Sequence, residues 1–245
     1  MDEKHRPGAV ERAQPLGLLE GLATTRSIRR YLDEPIPERD LDTILWSATR
    51  APSGTNRQPF RFLVLARGTR GDGERARAAK SLLGRAFREG WAAKLEAEGW
   101  RLPVSGRGAT RQERMLLAMQ QFVDRFEAIP VVVLACFVRY RPLTHAEGAS
   151  IFPACQNLLL AARALGYGGC FSGWHEPVER ELRELLDIPD GVEISLTVTL
   201  GKPAGRHGPV RRRPVGELVY AERWGEPAPW ATDPPGTRFT RGGIR

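Results

Sequence analysis

"APSGTNRQPFRFLVLA", Ala51 to Ala66, changes character at its midpoint. The first half, fenced by Pro52 and Pro59, crowds Ser53, Gly54, Thr55, Asn56 and Gln58 into one tight connection. The second half, Phe60 to Ala66, is an apolar run of strand length, expected to be a short buried strand. A polar connection feeding such a strand is either a surface turn or a preformed cradle of donors and acceptors. Just upstream, "PERDLDTILWSATR" places Leu41, Ile44, Leu45 and Ala48 on one helical face, with Pro37 and acidic residues at its start. A helix, a polar loop and a strand are therefore the first unit of the fold.

Helix and strand continue to alternate downstream. Ala/Arg/Glu-rich helical pattern runs over about Glu74–Glu98 and again over about Thr110–Glu127, interrupted by "GWRLPVSGRG". "IPVVVLACFV" reads as a strand covered on both faces, and "ASIFPACQNLLLAARALG" as a mostly apolar helix closed by Gly166. The Gly-rich "GYGGCFSGW", the helical "PVERELRELL" and the alternating strand "VEISLTVTLG" complete an α+β chain with more helix than strand. The domain is expected over 18–223, with 71–127 as a helical lid insert, 1–17 as a loose lead-in and 224–245 as a Pro/Gly/Arg-rich tail.

Composition narrows the function classes. A chain of 245 residues, 41% hydrophobic, can bury the core of one large domain. No apolar run reaches membrane-spanning length and the charged N-terminus has no signal-like h-region, which points to the cytoplasm and away from membranes. Cys136, Cys155 and Cys170 read as buried thiols of a reducing compartment. His5, His145, His175 and His207 lack metal-ligand spacing and read as surface or loop residues, so no metal site is assigned. The net charge of +8 comes mostly from arginines interleaved with acids, as in "RQERM", which reads as solvated helix faces; nucleic acid is not an expected partner. "GDGERA" at Gly71–Ala76 has the outline of a dinucleotide-binding turn, but "RGTR" separates it from the preceding strand, so it reads as a loop with a helix start.

Four polar stretches remain. "TTRSIRRYLDEPIP" holds Arg26, Ser27 and Arg29, side chains that grip phosphate through charge-assisted hydrogen bonds. Ser53, Asn56 and Gln58 can address an uncharged heterocycle, and Gly168, Gly169 and Gly173 allow close backbone approach to a flat ligand. "VRRRP", with Arg212 at its centre, is a second cationic patch. A ligand with a planar ring system at one end and a phosphate at the other would use all four.

"RSIRRYLDEPIP", "APSGTNRQPFRFLVL", "NLLLAARALGYGG" and "GKPAGRHGPVRRRPVGELV", in this order and spacing, resemble the FMN-dependent nitroreductase family over about Leu18–Val219. The resemblance implies a three-layer α/β/α fold with a mainly antiparallel central sheet, and an interlocked homodimer with FMN at the subunit interface. It implies that Arg26, Ser27 and Arg29 hold the FMN phosphate and reach the pyrimidine edge, with Thr25 standing where the family has Arg. It places Pro52, Ser53, Gly54, Asn56 and Gln58 against the flavin of the partner subunit. Phe171, Ser172 and Gly173 fall near the flavin N5 edge, and Arg212 returns to the phosphate.

By the same resemblance, NAD(P)H is the co-substrate and a small aromatic of nitroaromatic or quinone type the acceptor, in a ping-pong sequence. The flavin carries the chemistry and no catalytic side chain is assigned. Arg29 at the pyrimidine edge would favour the anionic reduced ring. "APSG" also resembles the iodotyrosine deiodinase branch, and a flavin-cleaving branch exists, so a specialised flavin reaction stands as an alternative. A catalytically silent flavin-binding protein is another. Trp91, Trp100 and Phe122 of the insert either stack on substrate or pack structurally, packing being the favoured reading.

Overall fold

The computed structural model describes residues 16–69, 71–103, 110–142, 147–206 and 208–240. A four-stranded sheet is built from β1 (Phe60–Ala66), β2 (Val131–Val138), β3 (Gly168–Ser172) and β4 (Val192–Gly201), in the order β1-β2-β4-β3. Every neighbouring pair is antiparallel. Six helices flank it: α1 (Leu18–Thr24), α2 (Glu38–Ala48), α3 (Glu74–Ala97), α4 (Arg111–Asp124), α5 (Gly148–Ala164) and α6 (Glu179–Leu185). Among the described residues no helix is long and apolar enough to cross a membrane.

Burial explains the layering. β2 is central, and its Val131–Phe137 run is buried throughout because both faces carry helices. One face packs Val133, Ala135, Val198 and Leu200 against Ile44 of α2 and Leu158 of α5. The other packs Val132, Leu134 and Cys136 against Leu83 and Phe87 of α3, Val123 of α4 and Leu182 of α6. This is a three-layer α/β/α arrangement. Two strands end where the sequence pattern ends them, Phe60–Ala66 and Val192–Gly201. β1 differs in burial: it is an edge strand, so Arg61 is exposed and Phe62–Val64 are only partly covered. The Gly-rich segment supplies β3. Gly169 fits there because a Cβ would lie 2.2 Å from the Thr199 carbonyl oxygen of β4.

The aromatics of the insert pack structurally. Trp91 and Phe122 are buried, Phe122 stacks edge-on against Phe87 and Phe126, and Trp91 Nε1 donates to Gln120 Oε1 at 2.9 Å. Trp100 packs against Trp91, their ring centroids 6.4 Å apart. Gly73 caps α3, so "GDGERA" is a loop with a helix start. Within the tail, Asp233 Oδ2 accepts from Val215 N–H and Thr240 N–H donates to the Arg212 carbonyl, folding it back over 212–221. The three cysteines are buried and unpaired, and burial pushes the Cys136 thiol up to about 11 and that of Cys155 to about 12.

His175 departs from its sequence reading. It is a buried residue after β3, with Nε2–H donating to the Ile194 carbonyl at 2.8 Å and Nδ1 left without a partner. His5, His145 and His207 lie outside the described residues. Burial lowers the His175 pKa, opposed in part by the Ile194 hydrogen bond and the carboxylates of Glu179 and Glu176. The unfolded chain takes up this proton near 6.5, whereas the folded chain resists it, so stability contributed above that pH is lost as pH falls below it. Denaturant midpoints of the wild type should fall between pH 7.5 and pH 5.5 more steeply than those of His175→Gln; parallel profiles would remove His175 as the cause.

Candidate functional site

The segment from Ala23 to Leu32 extends the sheet beyond β3. Ser27 bridges Gly169 in parallel, and Ile28 N–H donates to the Gly169 carbonyl at 2.9 Å. Leu32 N–H then donates to the Lys202 carbonyl, Ala204 N–H to the Arg30 carbonyl, and Val210 N–H to the Ala23 carbonyl. Tyr31 pins the seam from inside. Its hydroxyl donates to the Ile28 carbonyl and meets Thr199 Oγ1 at 2.8 Å, and its ring occupies the space a Cβ on Gly201 would need. Thr25, where the resembled family has Arg, turns inward and donates its hydroxyl to the Gly21 carbonyl.

Between this seam and α4 lies a cleft of about 610 Å³. Arg26, Ser27, Arg29 and Arg30 form one wall, Arg111, Arg114, Met115, Ala118 and Met119 of α4 the facing one, and Pro203 to Arg206 the end. Among the described residues, six arginines and no carboxylate line it. Arg29 also reaches inward to the Cys170 thiol, whose pKa is raised by burial and lowered in part by that guanidinium. Its charge therefore sits against the sheet edge.

The predicted residues divide into groups. Arg26, Ser27 and Arg29 come together in the cleft, and the parallel seam brings Phe171, Ser172 and Gly173 to the same sheet edge. Phe171 is exposed although large and apolar, and the position of a Cβ on Gly173 has only Glu176 Oε1 nearby, at 3.8 Å, so this edge is accessible to a flat ligand.

Pro52, Ser53, Gly54, Asn56 and Gln58 do not join them. They precede Phe60, which pairs with Phe137, at the opposite edge and the opposite end of the sheet from Gly168. Three strand spacings across and several residues along put the two groups on the order of 20 Å apart. Arg212 lies outside the cleft lining; its Nη1 donates to the Arg211 carbonyl, and it bridges Phe239. Arg206, and not Arg212, lines the end of this cleft.

The loop is nonetheless preorganised. Gln58 N–H donates to Ser53 Oγ at 2.9 Å, and Gly54 N–H donates to Ser150 Oγ of α5 at 3.3 Å. Gln58 Nε2 donates to Asn56 Oδ1 at 3.2 Å. Thr55, Asn56 and Gln58 have φ of 50°, 53° and 51°, left-handed backbone that costs non-glycine residues roughly 1 kcal/mol each. Strain held in an exposed loop by its own side chains marks a conformation kept for contact.

Two arginines of the cleft wall escaped the sequence reading. Arg111 and Arg114 belong to "RQERM", which in the sequence alone reads as a solvated face. The signal that could have found them is Thr110–x–x–Glu113, a capping box that fixes the start of α4: Glu113 N–H donates to Thr110 Oγ1 and Thr110 N–H to Glu113 Oε2. From that start, Arg111, Arg114, Met115 and Ala118 share the cleft side while Leu116, Phe122 and Val123 face the core.

The nitroreductase family model matches residues 22–202, a span that includes both the Arg26–Arg29 segment and the polar loop of residues 52–58. The chain belongs to the nitroreductase family. It is 31% identical over 202 residues to an NADH dehydrogenase of Thermus thermophilus, covering 79% of this chain and 90% of that one. A 4-nitrobenzoate reductase of a Nocardioides species is 28% identical over 201 residues, covering 74% of this chain and 78% of that one. Among solved structures, a nitroreductase of Desulfovibrio desulfuricans in complex with FMN superposes with a TM-score of 0.58 at 27% identity, over 84% of this chain and 96% of that one. The membership makes this chain a nitroreductase-family oxidoreductase. Thr110→Ala should cost about 1 kcal/mol of stability by removing the cap of α4, read as a lower denaturant midpoint; an unchanged midpoint would show that the cap does not hold this cleft wall.

Proposed function

We propose that the protein is an FMN-dependent oxidoreductase that takes hydride from NAD(P)H and reduces a small aromatic acceptor of nitroaromatic or quinone type, in a ping-pong sequence. The reading is supported most by one observation: an arginine-lined cleft beside an accessible sheet edge, and a strained polar loop fixed at the far corner of the same sheet. The donor set fits FMN. Guanidinium groups of Arg26 and Arg29 and the hydroxyl of Ser27 suit a phosphate dianion, and Phe171 to Gly173 continue from them along the sheet edge.

When bound, FMN supplies the ring that accepts hydride from the nicotinamide and delivers it to the acceptor. Arg26, Ser27 and Arg29 anchor the charged end, so the orientation of the rest is fixed from one side. The open backbone at Ser172 and Gly173 leaves room for reactants to approach the same edge in turn, as a ping-pong order requires. No side chain of the cleft is assigned a proton transfer. The names of relatives support the nicotinamide donor: the Thermus protein is an NADH dehydrogenase, and a neighbour with a TM-score of 0.63 is an FMN and NADPH-dependent nitroreductase. The buried, unpaired thiols suit the cytoplasm.

The separation of the half-sites supports a homodimer. Asn56 and Gln58 are too far from Arg26 to share its ligand within one chain, so they serve a flavin anchored by a second copy, which brings the loop to the Arg26 cleft of its partner. Exposed apolar side chains are available for such pairing: Leu19 is 79% exposed and Phe152 of α5 is 51% exposed.

Complementation tests this directly. Arg26→Ala with Arg29→Ala, and separately Asn56→Ala with Gln58→Ala, should each lose most bound flavin. Co-expressed, the two variants form mixed dimers with one intact site, and flavin absorbance together with NAD(P)H-dependent nitroaromatic reduction should return in part. Recovery of nothing in mixed dimers of normal mass would place both half-sites on one chain and overturn the reading.

A further inference from the structure

We propose that the α4 wall of the cleft, Arg111 and Arg114, with Arg206 at its end, forms a second oxyanion site for a reactant, separate from the grip on the FMN phosphate. The inference rests on the proposed flavin reading and deepens it by naming the chemistry of what enters beside the flavin.

Charge pairing elsewhere in the molecule sets the contrast. Several arginines on helix surfaces are matched with acids: Arg85 with Glu181, Arg88 with Glu127, Arg180 with Glu184, and Arg183 with Glu179. In the cleft, by comparison, none of Arg26, Arg29, Arg30, Arg111 and Arg206 has a carboxylate within 4.0 Å among the described residues. Like charges gathered without counterions destabilise the folded chain, so their persistence calls for an anion.

A single phosphate does not absorb them. A phosphate monoester carries roughly −1.5 to −2 charges, which Arg26 and Arg29 with Ser27 already balance. Arg30, Arg111 and Arg206 remain, the last two on elements other than the seam that carries the proposed phosphate grip. Arg111 and Arg114 lie one turn apart on the same side of α4, a spacing that allows both to address one oxyanion.

Apolar side chains are interleaved with the cationic ones. Ile28, Met115, Ala118 and Met119 line the cleft, and about 610 Å³ is room for a small molecule. Soft, adaptable methionines beside guanidinium groups suit a planar apolar body carrying an oxyanion. Two reactants of the proposed reaction have that form. One is NADPH, through its ribose phosphate. The other is an aromatic acceptor bearing a carboxylate, of which nitrobenzoate is the simplest.

The variants are Arg111→Gln, Arg206→Gln and the pair together, in the full chain with its flavin. KM is measured for NADPH against NADH, and for 4-nitrobenzoate against nitrobenzene, the neutral member of the second pair. Calorimetric titration of NADP+ and of nitrobenzoate into the same proteins gives a readout independent of turnover. KM and Kd for one anionic reactant should rise about tenfold or more, the scale of one charge-assisted hydrogen bond, while its uncharged or unphosphorylated counterpart stays constant and flavin content is kept. A rise confined to NADPH assigns the site to the donor, and one confined to nitrobenzoate assigns it to the acceptor. Equal rises for charged and neutral members, no rise at all, or flavin loss from the variants would each overturn the second site. Flavin loss would instead attach these arginines to the FMN phosphate. A wild-type protein that retains no flavin would sink the underlying reading, and the titrations would still decide whether Arg111 and Arg206 hold an oxyanion.

Discussion

The seam of backbone hydrogen bonds along Ala23–Leu32 is the interaction on which the site depends. The arginines of the proposed phosphate grip hang not from a helix N-terminus but from an extended segment that would be floppy alone. Its rigidity is borrowed. Gly169 lends a carbonyl from the edge of β3, Lys202 lends another from the segment that follows β4, and Tyr31 locks the turn by filling the room left by Gly201. Adding a Cβ at Gly169 or Gly201 would therefore act on the arginines through the backbone, with no change to a single charged group.

The same seam resolves the liability of an edge strand. β3 is short and glycine-rich, and unpaired edges invite association. Covering it with the Ser27 segment satisfies part of its backbone and spends the rest of the edge, from Phe171 onward, on the proposed ligand. At the other edge, β1 is bounded by the strained loop. The two groups of polar residues thus lie at opposite borders of one sheet, the separation on which the proposed pairing of two chains rests.

Much of this was legible in the sequence, for physical reasons that can be named. β1, β2 and β4 are runs of β-branched and aromatic residues with sharp polar boundaries, so their period and limits survive folding. β3 carries too little side chain to announce itself; its strand conformation comes from β4, not from its own glycines. The buried state of His175 was equally invisible, because it lies between a Gly-rich segment ending at Trp174 and a helical pattern starting at Pro177, with no periodic pattern of its own. Arg26, Ser27 and Arg29 were found through motif and chemistry together. Arg111 was missed because a helix arginine beside acids looks solvated, and only the capping box, by fixing the phase of α4, determines which side it takes.

That phase matters beyond α4. A rotation of about 100° per residue means that a start shifted by two positions would turn Arg111 and Arg114 out of the cleft and Leu116 into it. The helix is held against such slippage from both sides, by Leu116, Phe122 and Val123 in the core and by the reciprocal hydrogen bonds at Thr110. Charge on the cleft wall is therefore set by apolar packing on the opposite side of the helix. The aromatic cluster of Phe87, Phe122 and Phe126 acts one step removed: by holding α4 in phase it fixes which arginines line the cleft.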